Sequence, residues 1–217
     1  EVVINNEPAA SPALERVTAH LDLVRTQAGL KIMARVESES NFPMGSGIAS
    51  SASAFAALSM AAAAAAGLSL DEAALSRLAR RGSGSASRSI PAGYCQWVTG
   101  NDETSIATSI VPPEYWDLRD VIVIASQAHK SVGSTDGHRL AKTASLQTAR
   151  VAGAEARLKI CRDALLARDL SAMGAVMEED AVIMHAVMMS SRPPLYYWNT
   201  VTMDLIQATQ QWRAGGL

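Results

Sequence analysis

A loop of small residues that runs straight into an alanine-rich segment constrains the fold of this chain most. Residues 41–66 read NFPMGSGIASSASAFAALSMAAAAAA, with proline, glycine and serine within positions 43–47 and alanine prevailing from position 52. Alanine has the highest helix propensity, so we predict a helix over residues 52–66. Because this helix is apolar around most of its circumference, we expect it to be buried. The chain must therefore fold around a tight loop and a core helix.

The loop and the start of the helix together have the features of an anion site. Glycines allow the backbone to approach a ligand closely. The first turn of a helix presents N–H groups without helical acceptors, at the positive end of the helix dipole. The hydroxyls of Ser50, Ser51 and Ser53 would add donors there, so the stretch predicts a phosphate site. The alternative is a flexible turn before a core helix.

A second break rich in glycine and serine lies at residues 82–85, inside the segment RRGSGSASRS at positions 80–89. Arg88 follows the break, and an arginine presents a planar fork of donors that suits a carboxylate or a phosphate. For Arg88 the alternative is an ion pair on the surface. The hydroxyls of Ser83 and Ser85 could donate to the same ligand, or they could end the preceding helix and form local turn bonds.

Helix and strand patterns follow one another irregularly, which indicates an α+β fold rather than a doubly wound sheet. Pro112-Pro113 marks the expected domain boundary, and we predict domains at residues 1–116 and 117–217. Alternation predicts a strand over residues 30–36, and a continuous apolar run predicts a buried strand at 121–124. The other predicted elements are a helix capped by Ser11, a helix with a capping box from Ser69, a hairpin of 94–98 with 105–111, and helices over 151–165, 170–188 and 201–212.

Charge and composition exclude several classes of protein. A net charge of −2 gives no electrostatic basis for binding nucleic acid or an anionic membrane, and no apolar run suits a membrane span. The first residues show no secretory leader, so we expect a cytoplasmic protein. Cys95 and Cys161 could pair, but we expect them to stay reduced there. The four histidines lack the spacing of metal ligands, so we predict no protein metal site.

Both stretches rich in glycine and serine resemble motifs of one enzyme family. The segment PMGSGIASSA at positions 43–52 resembles the ATP phosphate loop of the GHMP kinase superfamily, and RRGSGSASRS resembles a signature of mevalonate diphosphate decarboxylases. A weaker similarity extends from about residue 11 to residue 198. The resemblance implies the two-domain GHMP kinase fold, with an N-terminal domain like that of a small-subunit ribosomal protein and a ferredoxin-like C-terminal domain.

The same resemblance assigns ligands to residues of this chain. ATP with Mg²⁺ is implied to bind at the loop and the helix start, through Pro43, Gly45, Ser46, Gly47, Ala49, Ser50 and Ser51. The implied catalytic residues are Ser85 and Arg88, and the residues implied to bind substrate are Ser83, Ser85, Arg88 and Ser134. Residue 133 is glycine where the family commonly has serine, and Thr135 stands where some relatives have arginine. The missing cation leaves a monophosphate substrate open.

The implied reaction is the ATP-dependent decarboxylation of mevalonate 5-diphosphate to isopentenyl diphosphate in the mevalonate (isoprenoid) pathway. It proceeds by phosphorylation of the C3 hydroxyl, loss of that phosphate and release of carbon dioxide. One alternative is a phosphomevalonate decarboxylase that makes isopentenyl phosphate from mevalonate 5-phosphate, and another is a GHMP small-molecule kinase. The resemblance also implies a homodimer.

Two segments typical of the family do not occur in the chain, an N-terminal Tyr-Trp-Gly-Lys and a C-terminal Asp-Ala-Gly-Pro-Asn. They carry the family's lysine and its aspartate base. We therefore expect the sequence to be a fragment or an incompletely described protein. On its own, such a fragment could bind nucleotide without turnover.

Overall fold

The computed structural model describes residues 1–42, 44, 48–126 and 132–216. The chain forms two compact units, Glu1–Arg119 and Asp120–Leu217. Two small sheets and several helices make up the first unit, so the predicted α+β class is confirmed. The predicted domain boundary at residues 116–117 stays a prediction. Among the described helices, none combines the length and the apolar character that crossing a membrane requires.

The first unit opens with a three-stranded sheet in the order β2-β1-β3. Strand β1 (Val2–Ile4) pairs antiparallel with β2 (Glu7–Pro8) and parallel with β3 (Val36–Ser38). A parallel pair needs a crossover connection, which is provided here by helix α1 (Ala13–Ala28). The buried residues of α1 are His20, Leu21 and Val24.

Helices α2 (Ser50–Ala65) and α3 (Glu72–Gly82) form the core of the first unit. The predicted alanine-rich helix is thereby confirmed, but the expected burial holds for one face only, since Met60 is 52% exposed. Most of the buried side chains around it are small, so one aromatic ring provides the largest apolar surface in this core. The buried residues of the core are Ala52, Phe55, Ala56, Ala79 and Ala86.

Two helices begin differently from the predictions. Pro12 occupies the N-cap of α1, and the Ser11 hydroxyl donates to the Glu15 carboxylate at 2.5 Å instead of capping a backbone N–H. At α3 the N-cap is Asp71, whose carboxylate accepts the N–H of Ala74 at 2.8 Å. The predicted capping box began two residues earlier and is wrong. A carboxylate is the better cap because it also interacts favourably with the helix dipole.

The predicted hairpin is confirmed. Strand β4 (Tyr94–Trp97) pairs antiparallel with β5 (Ala107–Val111). Between α3 and β4 the chain forms a 3-10 helix, Gly84–Ser89, which we call the serine turn. A shorter 3-10 helix, Pro113–Tyr115, follows β5. The serine turn is held by α2, α3 and the hairpin, which all contact it.

The other two strand predictions largely fail. Of residues 30–36, only Val36 lies in a strand, and Ile32 is 68% exposed. Residues 121–124 form no strand, and their side chains are 57–83% exposed. A strand requires a hydrogen-bonded neighbour, and the described part of the chain provides one for neither of these failed segments. An apolar pattern shows that a segment is suited to a buried strand. Whether the strand forms depends on a partner elsewhere in the chain.

The second unit consists, in its described part, of helices. Three of them confirm the predicted helices of this half of the chain, although the predicted bounds were slightly too short. The four described helices are α4 (Ser134–Ala141), α5 (Gln147–Ala167), α6 (Leu170–Met189) and α7 (Thr200–Ala214).

An ion pair and a helix cap join α5 to α6. Arg157 is 9% exposed, and its Nε donates to the Asp180 carboxylate at 2.9 Å. Its Nη2 donates to the Arg150 carbonyl oxygen at 2.8 Å, so this side chain binds both helices. Asp169 then begins α6 by accepting the N–H of Ala172 at 2.9 Å.

Loss of the α6 cap should lower stability. We predict that Asp169→Ala lowers the free energy of unfolding by about 1 kcal/mol, because the Ala172 N–H then loses its acceptor. Asp169→Ser should retain most of the stability, since a hydroxyl also accepts this bond. Urea denaturation followed by circular dichroism measures both variants. Equal stability of the alanine and serine variants would contradict the cap.

Candidate active site

The predicted nucleotide loop is described only at its edge. Pro43, Gly45, Ser46 and Gly47 lie outside the described residues. The next predicted contact, Ala49, is the N-cap of α2 and has a left-handed backbone with φ of +59°. Such a φ is uncommon for a residue with a Cβ, so the chain turns sharply where it enters the helix.

The first turn of α2 presents Ser51 to Ser83, the residue that precedes the serine turn. The Ser51 Oγ lies 3.2 Å from the Ser83 Oγ, although the two residues are 32 positions apart. Ser50 is half-buried beside them. Ser53 is already occupied, because its hydroxyl donates to the Ser50 carbonyl oxygen at 3.0 Å. The fold thus brings one residue of each predicted site into direct contact.

Helix α3 ends where the serine turn begins. Ser83 has an extended backbone that stops the helix, and its carbonyl oxygen accepts the Ala86 N–H at 2.8 Å. Ala86 and Ser87 are fully buried, whereas Ser85 is half-buried and Arg88 is exposed. The turn therefore has a buried side that anchors it and an outer side that includes Arg88.

Buried serine hydroxyls hold the inner side of the serine turn. The Ser76 hydroxyl donates to the Ser87 carbonyl oxygen at 3.1 Å and accepts the Ala107 N–H at 2.9 Å. The Ser87 hydroxyl donates to the Gly84 carbonyl oxygen at 3.0 Å. Both serines are 0% exposed, and every bond in such a buried network matters because an unpaired polar group is costly there. The network fixes the turn to α3 and β5.

Arg88 keeps its charge available. No carboxylate of the described residues pairs with its guanidinium, so the alternative of a surface ion pair finds no support in the described chain. The guanidinium carbon lies 5.9 Å from the ring centroid of Trp97, a cation–π distance. The Trp97 ring is itself fixed, since its Nε1 donates to Ser105 Oγ at 2.9 Å. Arg88 is thus a supported cation that an anionic ligand can pair with.

Two neighbouring arginines have structural partners instead. Arg80 Nη2 donates to the carboxylate and to the carbonyl oxygen of Asp102, at 2.5 and 2.7 Å. Arg77 pairs with Glu103. These pairs tie α3 to the connection between β4 and β5. The sequence reasoning left both arginines unassigned, although the acidic pair Asp102-Glu103 was a signal for them.

The Cys95 thiol supports the backbone of Arg88. Its Sγ donates to the Arg88 carbonyl oxygen at 3.1 Å. Burial raises the pKa of the Cys95 thiol, and the charge of Arg88 partly opposes this. The thiol therefore stays protonated and remains a donor. Cys95 and Cys161 are both free cysteines in the structure.

His20 lies buried behind the site and was missed by sequence reasoning. It is 2% exposed, and its ring stands edge-on to Phe55 at 5.3 Å. The Ser59 hydroxyl donates to the Phe55 carbonyl oxygen at 2.6 Å, so it accepts the Nε2–H of His20 at 2.9 Å. Burial, and then the charge of Arg81, lower the pKa of His20 to about 4. The ring is therefore neutral at physiological pH.

Ser134 begins α4 in the second unit, and Gly133 is the N-cap. The Gly133 carbonyl oxygen accepts the N–H of Gly137 at 3.0 Å. The side chains of Ser134 and Thr135 lie outside what the structure describes. The predicted contact of Ser134 with substrate phosphate stays a prediction.

The described residues fit ATP with Mg²⁺ better than a metal held by protein side chains. Among them, no cluster of three or more His, Cys, Asp or Glu side chains could hold a metal ion. Mg²⁺ in nucleotide sites is bound largely by phosphates and water, so such a cluster is not required. The left-handed entry into α2 and the Ser51 hydroxyl suit the phosphates.

Two family models match nearly the whole chain. Residues 1–108 match the diphosphomevalonate decarboxylase-like N-terminal domain, and residues 120–214 match the mevalonate 5-diphosphate decarboxylase C-terminal domain. Curated relatives include the diphosphomevalonate decarboxylase of Ganoderma lucidum, 36% identical over an alignment of 177 positions that covers 79% of this chain and 44% of the relative. That of Candida albicans is 35% identical over an alignment of 216 positions that covers 88% of this chain and 60% of the relative. The chain thus spans about half the length of these relatives.

Solved structures of similar proteins confirm the predicted two-domain GHMP kinase fold. Mevalonate diphosphate decarboxylase from Staphylococcus aureus is 34% identical, with a TM-score of 0.87 over 99% of this chain and 66% of that protein. MDDEF in complex with MVAPP, AMPPCP and magnesium is 32% identical, with a TM-score of 0.87 over 100% and 67% of the two chains.

The burial of His20 predicts a pH dependence of stability. Unfolded His20 titrates near its ordinary pKa of 6.5 and the folded residue near 4. Between these values the unfolded state binds more protons, so the contribution of His20 to stability is fully present above pH 6.5 and is lost as pH falls towards 4. The slope is at most ~1.4 kcal/mol per pH unit.

Urea denaturation at a series of pH values measures this dependence. His20→Gln should flatten the pH profile of the unfolding free energy between pH 6.5 and 4 relative to wild type. His138→Gln is the control, because His138 is exposed and should leave the profile unchanged. Parallel profiles for wild type and His20→Gln would contradict the neutral buried histidine.

Proposed function

The chain belongs to the diphosphomevalonate decarboxylase family, and from this premise we propose that the whole protein converts mevalonate 5-diphosphate to isopentenyl diphosphate with consumption of ATP. One observation carries the proposal to this chain. The Ser51 and Ser83 hydroxyls, from the two motifs of the family, are 3.2 Å apart. A nucleotide at the start of α2 and a substrate at the serine turn would therefore be neighbours, as phosphoryl transfer requires.

On the nucleotide side, the phosphates of ATP would bind at the N-terminus of α2. The helix dipole and the backbone N–H groups favour negative charge there, and the Ser51 hydroxyl can donate to a phosphate oxygen. Mg²⁺ would neutralise charge on the phosphates. The complex of MDDEF with AMPPCP and magnesium supports both ligands.

On the substrate side, the serine turn would hold the phosphorylated mevalonate. Arg88 would pair with the substrate carboxylate or phosphate through two donors. Ser83 and Ser85 would donate hydroxyl hydrogen bonds to the same molecule. Ser134 is proposed as a further contact to substrate phosphate. The solved complex of the similar protein MDDEF with MVAPP supports a phosphorylated substrate for the site proposed here.

The proposed reaction is the one that the family resemblance implies. The γ-phosphoryl group of ATP would pass to the C3 hydroxyl oxygen with ADP as the leaving group, and the hydroxyl proton would pass to the family's aspartate base. The C3–O bond would then break with its electron pair leaving on phosphate. The bond to the carboxylate breaks next, its electrons form the double bond, and carbon dioxide leaves. Arg88 would orient the carboxylate before this step. The serine turn contains no other cationic residue that could take over this role. Preorganised charge of this kind is the main source of rate acceleration.

A monophosphate substrate is the second candidate, because Thr135 stands where some relatives have an arginine that would help neutralise a diphosphate. The names of the matched relatives favour the diphosphate. A homodimer and a cytoplasmic location are further proposals. Light scattering tests the first, and cell fractionation tests the second.

The deciding experiment compares ATP turnover with mevalonate 5-phosphate and with mevalonate 5-diphosphate, following both ADP and carbon dioxide. We expect both products from the diphosphate. Carbon dioxide from the monophosphate alone would make the protein a phosphomevalonate decarboxylase. ADP without carbon dioxide would make the protein a kinase. If neither ADP nor carbon dioxide forms, the proposal is wrong.

Arg88→Gln should reduce kcat/KM for the mevalonate substrate by about 100- to 1,000-fold, since one preorganised charged donor is lost. The fold should persist, because the side chain is exposed. Arg35→Gln is the matched control, as Arg35 is an exposed arginine that pairs with Glu37 and should keep wild-type turnover. Near-normal turnover of Arg88→Gln would exclude Arg88 from the reaction.

Ser51→Ala should raise KM for ATP by roughly tenfold, because a hydrogen bond to a charged phosphate contributes about 1.5–3 kcal/mol. Ser53→Ala is the control, since the Ser53 hydroxyl already donates to a backbone carbonyl. Steady-state kinetics with varied ATP measures both. An equal response of the two variants would count against the contact of Ser51 with nucleotide.

A further inference from the structure

Helix α1 reaches the back of the candidate site with two side chains one turn apart. Arg16 and His20 are four positions apart on α1 and therefore share a face. Arg16 contacts both Gly82 and Phe55, and His20 contacts Phe55 and Ser59. No motif singled out in the sequence includes either residue, yet together they touch both helices that carry the site.

Arg16 binds the end of α3. Its Nη2 donates to the Gly82 carbonyl oxygen at 3.1 Å. The last carbonyls of a helix lack helical donors, and a cation there is favoured by the helix dipole. The same guanidinium lies 4.7 Å from the ring centroid of Phe55, within the range of a cation–π contact. One side chain of α1 thus holds Gly82 against Phe55.

The contact between Gly82 and Phe55 leaves no free space. A Cβ added at Gly82 would lie 2.1 Å from Cδ1 of Phe55 and 2.9 Å from Nδ1 of His20. The Gly82 backbone therefore rests directly on the ring, and only glycine fits. Phe55 is 6% exposed and is itself fixed by His20 and by the core.

The two contacts between α2 and the end of α3 run side by side. Ser51 and Phe55 are one turn apart on α2, and Gly82 and Ser83 are consecutive. The Phe55 contact with Gly82 therefore sets the distance at which Ser83 meets Ser51. Any movement of Gly82 away from the ring moves Ser83 and the serine turn with it.

We propose that Arg16 is a positioning residue that holds the serine turn at its working distance from the first turn of α2. It acts through Gly82 and touches no residue assigned here to substrate or nucleotide. The inference deepens the proposed function and rests on it for its kinetic consequence, whereas its structural consequence holds without any ligand.

Three variants of the protein test the kinetic consequence. Arg16→Gln removes the charge, and we expect kcat/KM for the mevalonate substrate to fall about tenfold while KM for ATP changes less than twofold. Arg16→Lys keeps a donor and a cation, and should stay within about threefold of wild type. Arg25→Gln is the matched control, because Arg25 lies on the same helix and pairs with Asp22; it should match wild type. The proposal would be overturned if KM for ATP rose in Arg16→Gln by the same factor by which kcat/KM for the mevalonate substrate fell. It would also be overturned if Arg16→Lys lost as much activity as Arg16→Gln.

Hydrogen exchange without ligand tests the structural consequence. In Arg16→Gln the amides of residues 83–90 should exchange at least tenfold faster than in wild type, with little change in residues 56–65 of α2. Arg16→Lys and Arg25→Gln should exchange like wild type. Unchanged exchange at the serine turn in Arg16→Gln would refute the positioning role. If wild type fails to release carbon dioxide but this pattern appears, the proposed function fails and the positioning role stands.

Discussion

The close contact of the Gly82 backbone with the Phe55 ring is the constraint on which the candidate site depends. A Cβ at Gly82 would stand 2.1 Å from the ring, so α3 can end there only on a glycine. This contact places Ser83 beside Ser51 and leaves the next residues to form the serine turn. Phe55 is also the largest side chain in the core cluster. The same ring therefore packs in the hydrophobic core and positions the candidate site.

Polar groups complete what the apolar contact begins. The buried Ser76 and Ser87 hydroxyls tie the serine turn to β5, and Arg80 ties α3 to the hairpin connection through Asp102. Each of these side chains donates a hydrogen bond to another group of the protein. Arg88 differs, because no described carboxylate pairs with it. An exposed cation on a rigid turn is suited to recognise an anion, since little reorganisation accompanies binding.

Local patterns predicted the helices and the hairpin well and the other strands poorly. The alanine run and the three-four repeats of the second half correspond to α2, α5, α6 and α7, because helix hydrogen bonds lie within the segment itself. Residues 121–124 have the composition of a buried strand, yet they are exposed and unpaired in the described chain. A strand depends on a partner that its own sequence does not contain.

By itself, the sequence determined the helical segments, the glycine and serine breaks between them, and the resemblance of two motifs to one family. Only the tertiary structure decided which groups meet. Ser51 lies beside Ser83 across 32 positions, and Arg16 reaches the end of α3. Arg77 and Arg80 pair with carboxylates, whereas Arg88 pairs with no carboxylate of the described residues. The physical reason is that propensity and periodicity act over one or two helical turns, whereas these contacts depend on how separate elements pack.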